Sequence, residues 1–244
     1  MERNKIYSLW WQGIDEAPEI VKVCYESLKH NYDPETQEII YLDKNNIFEY
    51  VDFPYYIIDK FNKGIITMTH LSDIARTILL EKTGGLWTDA TMLFTRPIKH
   101  EIFEKTFFTL KNPSVGNKAI SSKWECFFIA GKSGFPLFTF LKDMWTEYWK
   151  NEDTLIDYLL IDHVFYIGYK ENEEIRKALD ECDSFHYRID YFQRFMNEKY
   201  DKNAYEEICK NEPYIKLTYK GQFETTTSEG AMTFYGKLLK DYLK

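Results

Sequence analysis

The chain has little with which to make a covalent or metal staple. Its four cysteines (Cys24, Cys126, Cys182, Cys209) lie far apart, without a CxxC pair. That excludes a disulfide framework and a cysteine zinc site, and it fits free thiols in a reducing compartment. No apolar run reaches the length of a membrane span, and the opening MERNKIYSLWWQG has no apolar signal core. Neither a cleaved secretion signal nor a transmembrane helix is expected, which points to the cytoplasm. Positive charge is short as well: 31 Lys and Arg against 39 Asp and Glu give a net charge of −8. With no basic stripe, a general nucleic-acid binder is excluded. Internal repeats and low-complexity tracts are absent, and 244 residues can bury a core unaided, so a single domain over 1–244 is expected.

What the chain has in plenty is aromatic: 18% Phe, Trp and Tyr, with 19 tyrosines. Aromatic faces suit sugar rings and bases. A lysine-rich, AT-rich coding bias would produce the same excess, so composition decides nothing alone.

The hydrophobic pattern alternates strands and helices, which predicts an α/β fold. KIYSLWW (5–11) reads as a buried parallel strand ending at WQG. Ligands bind at the carboxyl ends of such strands, so Trp10, Trp11 and Gln12 are candidates for a base-stacking wall; the alternative is that the tryptophans are core. Ala17–Asn31 reads as a helix, Glu38–Asp43 as a second strand, and short helices follow Asp43 and Pro54. Ile65–Gly85 is the clearest helix. Thr67 or Thr69 caps it, Leu71, Ile74, Ala75, Ile78 and Leu79 form its stripe, and Gly84 stops it. Asp73 and Arg76 share a face of that helix, which read alone is a surface ion pair.

LWTDATMLF (86–94) is strand-like on both sides of Asp89. A carboxylate at a strand end, followed by a hydroxyl, can present hard oxygen ligands to Mg²⁺ or Mn²⁺, or can cap a turn. Strands are predicted at 107–112 and 126–132, with a mobile loop between them, and a helix at 135–150. Leu155–Tyr169 reads as a buried helix carrying Asp157, Asp162 and His163, which are either structural hydrogen-bond hubs or site residues. Short charged helices fill 171–210. YIKLTYKGQF is a strand with a turn at Lys220–Gly221, ETTTSEG is a polar loop, and the closing helix either docks by its leucines or lies on a membrane surface.

In order along the chain stand WWQG with APEIV, YLDKNNIFEYVDFP, LSDIAR, GGLWTDAT, an FFIA strand, LIDYLLIDHVF and KLTYK. Together these resemble the bacterial capsular polysaccharide synthesis proteins, relatives of the DXD glycosyltransferases that include initiating mannosyltransferases and clostridial glucosylating toxins. The resemblance implies a GT-A fold: a Rossmann-like α/β sandwich with a mainly parallel sheet, a helical insert after residue 170 and a C-terminal helix. Residues 1–132 would form the nucleotide-sugar core and 133–244 the acceptor side.

It further implies transfer of a sugar from a nucleotide sugar, UDP by default, to a glycan or lipid-linked oligosaccharide. Retention of configuration and a divalent metal would go with it. Trp10, Trp11 and Gln12 would lie by the base. Asp73 would meet ribose or sugar hydroxyls, and Arg76 the sugar or its phosphates. Asp89, with Thr88 beside it, would hold the metal. Lys216, Tyr219 and Lys220 would face the leaving diphosphate, and Asp162 the donor or acceptor. The motif departs from the family pattern at Thr91, which stands where a second carboxylate is usual. A neutral oxygen binds a hard cation more weakly, and no histidine follows residue 186 to compensate. The alternative is a nucleotide-sugar-binding module in a polysaccharide assembly complex, with weak or no turnover.

Overall fold

The structure is a computed structural model that describes residues 2–111, 124–182 and 191–244. Among these, β1 (Asn4–Leu9), β2 (Gln37–Leu42), β3 (Gly85–Thr88), β5 (Phe107–Lys111) and β6 (Trp124–Gly131) form one sheet in the order β2-β1-β3-β6-β5. β1 runs parallel to both β2 and β3, and β6 is antiparallel to its neighbours β3 and β5. Four strands therefore share one direction and β6 opposes them. This is the mainly parallel, Rossmann-like α/β arrangement that the sequence implied.

Alternation builds the two faces. Tyr7, Trp87, Phe107 and Ile129 point into one core, shared with Leu71, Ile74, Ala75, Ile78 and Leu79. Ile6, Leu86, Phe108 and Phe128 point into the other. The helices before β3 are α1 (Glu19–Asn31), α2 (Ile47–Tyr50), α3 (Tyr55–Asn62) and α4 (Met68–Thr83). Thr67 caps α4 by accepting from the His70 amide, as predicted. Two consecutive glycines then turn the chain into β3. Gly85 sits at φ +102°, and a Cβ there would lie 2.5 Å from the Lys5 carbonyl oxygen. Only glycine allows β3 to pair this closely with β1.

The stretch 86–94 is not one strand. The chain turns at Asp89–Thr91, and β4 (Met92–Phe94) leaves the main sheet to pair antiparallel with β7 (Tyr214–Lys216), with Met92 opposite Lys216. The predicted strand from Tyr214 likewise ends at Lys216, so Tyr219 and Lys220 lie in the following loop. After β4 come α5 (Glu101–Glu104) and, beyond β6, α6 (Pro136–Asn151) and α7 (Leu160–Glu171). α7 begins five residues later than the pattern suggested. Asp157 instead accepts from the Leu159 amide at 2.7 Å, and Ile156 and Tyr158 are exposed. Side-chain capping and an exposed entry compete here with helical periodicity.

α8 (Glu173–Asp180), α9 (Tyr191–Arg194) and α10 (Lys202–Asn211) supply the short charged helices after residue 170. The predicted loop at 112–123 and part of the 171–210 segment lie outside the described residues. α11 (Phe234–Tyr242) buries Leu238 and Leu239 in a cluster with Ile20, Val23 and Cys24 of α1. Its apolar face is docked, so it is not free to lie on a membrane. Among the described residues no helix is long and apolar enough to cross one.

Candidate active site

The turn after β3 places Asp89 at the carboxyl end of a parallel strand, where open α/β sheets bind ligands. Its backbone is held by the Asp89 amide donating to the Phe127 carbonyl at 2.9 Å and the Met92 amide donating to the Asp89 carbonyl at 3.1 Å. Its two carboxylate oxygens are separately engaged. Oδ1 accepts from Arg76 Nη2 and from Trp87 Nε1, each at 3.1 Å. Oδ2 accepts from Lys216 Nζ at 2.6 Å.

Each of these donors is fixed by its own element. Trp87 lies two residues before Asp89, so the pleat puts both on the face toward α4. Arg76 comes from α4, where the expected surface ion pair proves to be buried: Asp73 is 6% exposed and Arg76 4%. The reason is that this face of α4 packs over the ends of β3 and β6. Arg76 Nη1 donates to the Cys126 carbonyl at 2.8 Å and lies 3.2 Å from Asp73 Oδ1. Lys216 arrives from β7, set by the Met92–Lys216 register, with its ammonium 4.8 Å from the Phe127 ring centre.

Burial and neighbours tune these groups. Burial pushes Asp73 up to about 6, against the pull of Arg76 and with help from Asp89 and Asp162. Burial likewise raises Asp162 to about 6, opposed by His163 and Arg76. Asp89 would rise by burial too, but Lys216 and Arg76 outweigh it and hold it below the usual carboxylate range. Burial works against the charge on Arg76, and Asp73 and Asp89 overcome it. Burial also raises the thiols of Cys24 and Cys126, so neither is a nucleophile near neutral pH.

Beside Asp89 opens a cavity of about 190 Å³, lined among others by Ser8, Trp10, Tyr25, Asp43 and Thr88. Thr88 and Trp10 are both in this lining, and the Thr88 hydroxyl and the Trp10 indole N–H are buried without a hydrogen-bond partner.

The structure thus gathers Trp10, Asp73, Arg76, Thr88, Asp89 and Lys216 at one end of the sheet, with the charge of Asp162 felt from α7. Tyr219 lies edge-on to Trp10 at 5.2 Å, with Lys220 on its ring at 6.0 Å. Trp11 turns the other way, against Phe48 and Phe61, and Gln12 is exposed in the turn; neither lines the cavity. His163 approaches Asp157 at 3.7 Å. Asp43, Trp87 and the Cys126 carbonyl were missed. Asp43 carried one signal, a carboxylate directly after a parallel strand. The other two depend on strand pairing across the sheet, which no local pattern displays.

The donor set does not fit the divalent metal that the resemblance implied. Both oxygens of Asp89 already face cations. Thr91 is buried, and its carbonyl accepts from the Leu217 amide at 2.9 Å. Among the described residues no group of three or more His, Cys, Asp or Glu side chains is placed to hold a metal. A hard cation needs several anionic oxygens, and here it would meet two positive side chains.

A Rossmann-like α/β sheet thus carries Asp89 beyond the end of β3, paired with Arg76 of α4 and Lys216 of β7, beside a cavity walled by Trp10. The chain belongs to the capsular polysaccharide synthesis protein family, whose model matches residues 1–238. No curated protein matches the chain in sequence. Solved structures with a partly similar arrangement include the PaToxG glycosyltransferase, 18% identical over 72% of this chain and 77% of that one, with a TM-score of 0.41. The glycosyltransferase GlyE of Streptococcus pneumoniae TIGR4 is 9% identical, covering 99% of this chain and 60% of that one, at 0.43. The WbbM bifunctional glycosyltransferase is 9% identical over 99% and 50%, at 0.42. The chain therefore spans less than two thirds of the length of the last two. At these TM-scores the likeness is partial, and the site is read from its own residues.

Proposed function

We propose that this chain is a glycosyltransferase of surface-glycan assembly. It would move a sugar from a nucleotide sugar, a uridine diphosphate sugar by first choice, to a growing capsule, O-antigen or lipooligosaccharide chain, working in the cytoplasm. The observation that carries this reading is the convergence of Arg76, Lys216 and Asp89 beside a cavity walled by Trp10. An indole edge suits a nucleoside, and adjoining cations suit a diphosphate. The family's part in capsular polysaccharide synthesis supports it.

In the reaction the bond between the anomeric carbon and the diphosphate oxygen breaks, and its electron pair stays on the diphosphate. The sugar becomes oxocarbenium-like, as in glycoside hydrolysis. An acceptor hydroxyl then forms the new carbon–oxygen bond on the same face, and its proton passes to the departing diphosphate. The product keeps the donor's configuration. Asp73 of α4 and Asp162 of α7 are the residues assigned to the sugar hydroxyls in this reading.

The test is nucleotide release from a panel of nucleotide sugars with oligosaccharide acceptors, repeated on Asp89→Asn. Turnover with the native chain, and loss of at least tenfold in the variant, is expected. An alpha-linked product from an alpha-linked donor, read by NMR, supports retention, and a beta linkage overturns it. A donor that binds with no nucleotide released, with or without acceptor, leaves the chain as a binding module.

A further inference from the structure

We infer that the recess between α1 and the sheet is a base subsite sized for a single six-membered ring, so that the chain selects a pyrimidine over a purine nucleoside diphosphate, with Thr88 meeting the base edge. The inference rests on the reading of the site as a nucleotide-sugar site and narrows the class of donor.

Size is the first reason. The cavity beside Asp89 holds about 190 Å³. An apolar cavity of about 150 Å³ accepts one benzene ring. The recess therefore takes one ring with its carbonyl or amino substituents and is short of room for the second, fused ring of a purine. Its walls do not give readily. Cys24 and Leu28 of α1 and Met92 and Phe94 of β4 line it, and none of the four is more than 2% exposed. Leu28, Met92 and Phe94 belong to the core that also holds Ile6 and Leu86. A close-packed core resists a change of even one methylene, so a larger base would have to disturb it.

The chemistry of the floor is the second reason. The register of β1 and β3 sets Ile6 beside Leu86 and Tyr7 beside Trp87. One step further, Ser8 and Thr88 come side by side, and the pleat puts them on the same face as Ile6 and Leu86. Both line the cavity. Thr88 is 1% exposed, and its hydroxyl has no hydrogen-bond partner. A hydroxyl buried in that state weakens the fold. A base would supply the partner, because a hydroxyl both donates and accepts, and pyrimidine edges offer carbonyls together with N–H groups or ring nitrogens. The Trp10 indole N–H, a donor only, is buried without a partner in the same lining and suits a base carbonyl.

Position is the third reason. Thr88 immediately precedes Asp89, which lines the same cavity and is paired with Arg76 and Lys216. The base floor and the cations therefore adjoin at one strand end. Asp43 closes the other side of the cavity from the end of β2.

The experiment is calorimetric titration of the full chain with UDP, CDP, dTDP, GDP and ADP, each in EDTA and in Mn²⁺. The tightest pyrimidine diphosphate is then repeated on Thr88→Val. At least one pyrimidine diphosphate is expected to bind about tenfold or more tighter than GDP and ADP. Thr88→Val is expected to weaken it about threefold to tenfold, the scale of one hydrogen bond. The variant should melt no lower than the native chain, because it removes a hydroxyl that the free protein leaves unpaired. Loss of binding without loss of stability separates a contact with the base from a structural role. GDP or ADP binding within tenfold of the best pyrimidine overturns the inference and leaves the transferase reading intact. So does a Thr88→Val chain that binds as the native chain does, or one that melts lower. Failure of every diphosphate to bind in either buffer overturns both.

Discussion

Arg76 and Trp87 lie against one another, guanidinium carbon to ring centre at 5.3 Å, and both donate to the same oxygen of Asp89. The indole is thus a platform for the cation and a second hand on the carboxylate. Removing its N–H while keeping an aromatic face separates the two roles. Trp87→Phe is expected to cost about 2–4 kcal/mol by urea unfolding, from a lost hydrogen bond to a charge and from the space left in the core.

Arg76 is the only cation within ion-pair distance of Asp73 among the described residues. Arg76→Met leaves a buried carboxylate unpaired and the Cys126 carbonyl without its donor. A loss of about 3–5 kcal/mol is expected. In Asp73→Asn/Arg76→Met the loss should be smaller than the sum of the single changes, because the stranded charge is gone; denaturant melts of all three variants read the coupling.

Asp162 lends itself to a pH test. Its folded pKa is raised to about 6 by burial, so the native state holds its proton more tightly than the unfolded chain does. The penalty on the fold therefore grows between about pH 4 and pH 6, is full above about 6, and is relieved as pH falls back toward 4. Asp162→Asn removes that penalty. It should raise stability on the order of 2 kcal/mol at pH 7.5 and by much less at pH 4.5, by thermal melts at both. Asp89 has the opposite sign. Its depressed pKa gives stability that is present at neutral pH and lost on acidification, so Asp89→Asn should cost more at pH 7.5 than at pH 3.

Gly85 is a backbone test. With φ at +102° and the Lys5 carbonyl oxygen where a Cβ would go, Gly85→Ala strains the turn and pushes β3 from β1. About 2 kcal/mol or more is expected by denaturant unfolding. Gly134→Ala has the same sign of φ but open space around it, and should cost about 1 kcal/mol.

Much of the scaffold was legible because burial alternates. The stripe of α4, the strand cores and the Gly84 stop all follow from local pattern. Asp73 and Arg76 misled as a surface pair because helical spacing reports which residues share a face, not what a second layer lays over that face. The two tryptophans looked equivalent in WWQG, yet Trp10 faces the cavity and Trp11 faces Phe48 and Phe61; only the direction of the loop decides between them. The break of 86–94 into strands of two sheets was hidden because apolar residues continue on both sides of Asp89. Lys216 was visible as a basic residue in a short strand, but its pairing with Asp89 depends on a contact 127 positions apart.

That separation has a consequence in time. On a ribosome adding about 5–20 residues per second, Lys216 is made roughly 6–25 s after Asp89. β1, β2 and β3 can pair in that interval, but the carboxylate at the end of β3 then has only Arg76 and Trp87. The Lys216 ammonium that pairs with its second oxygen comes later, on the strand that closes the small sheet. A chain cut short before residue 214 would thus keep much of the scaffold but leave one oxygen of Asp89 without its cation.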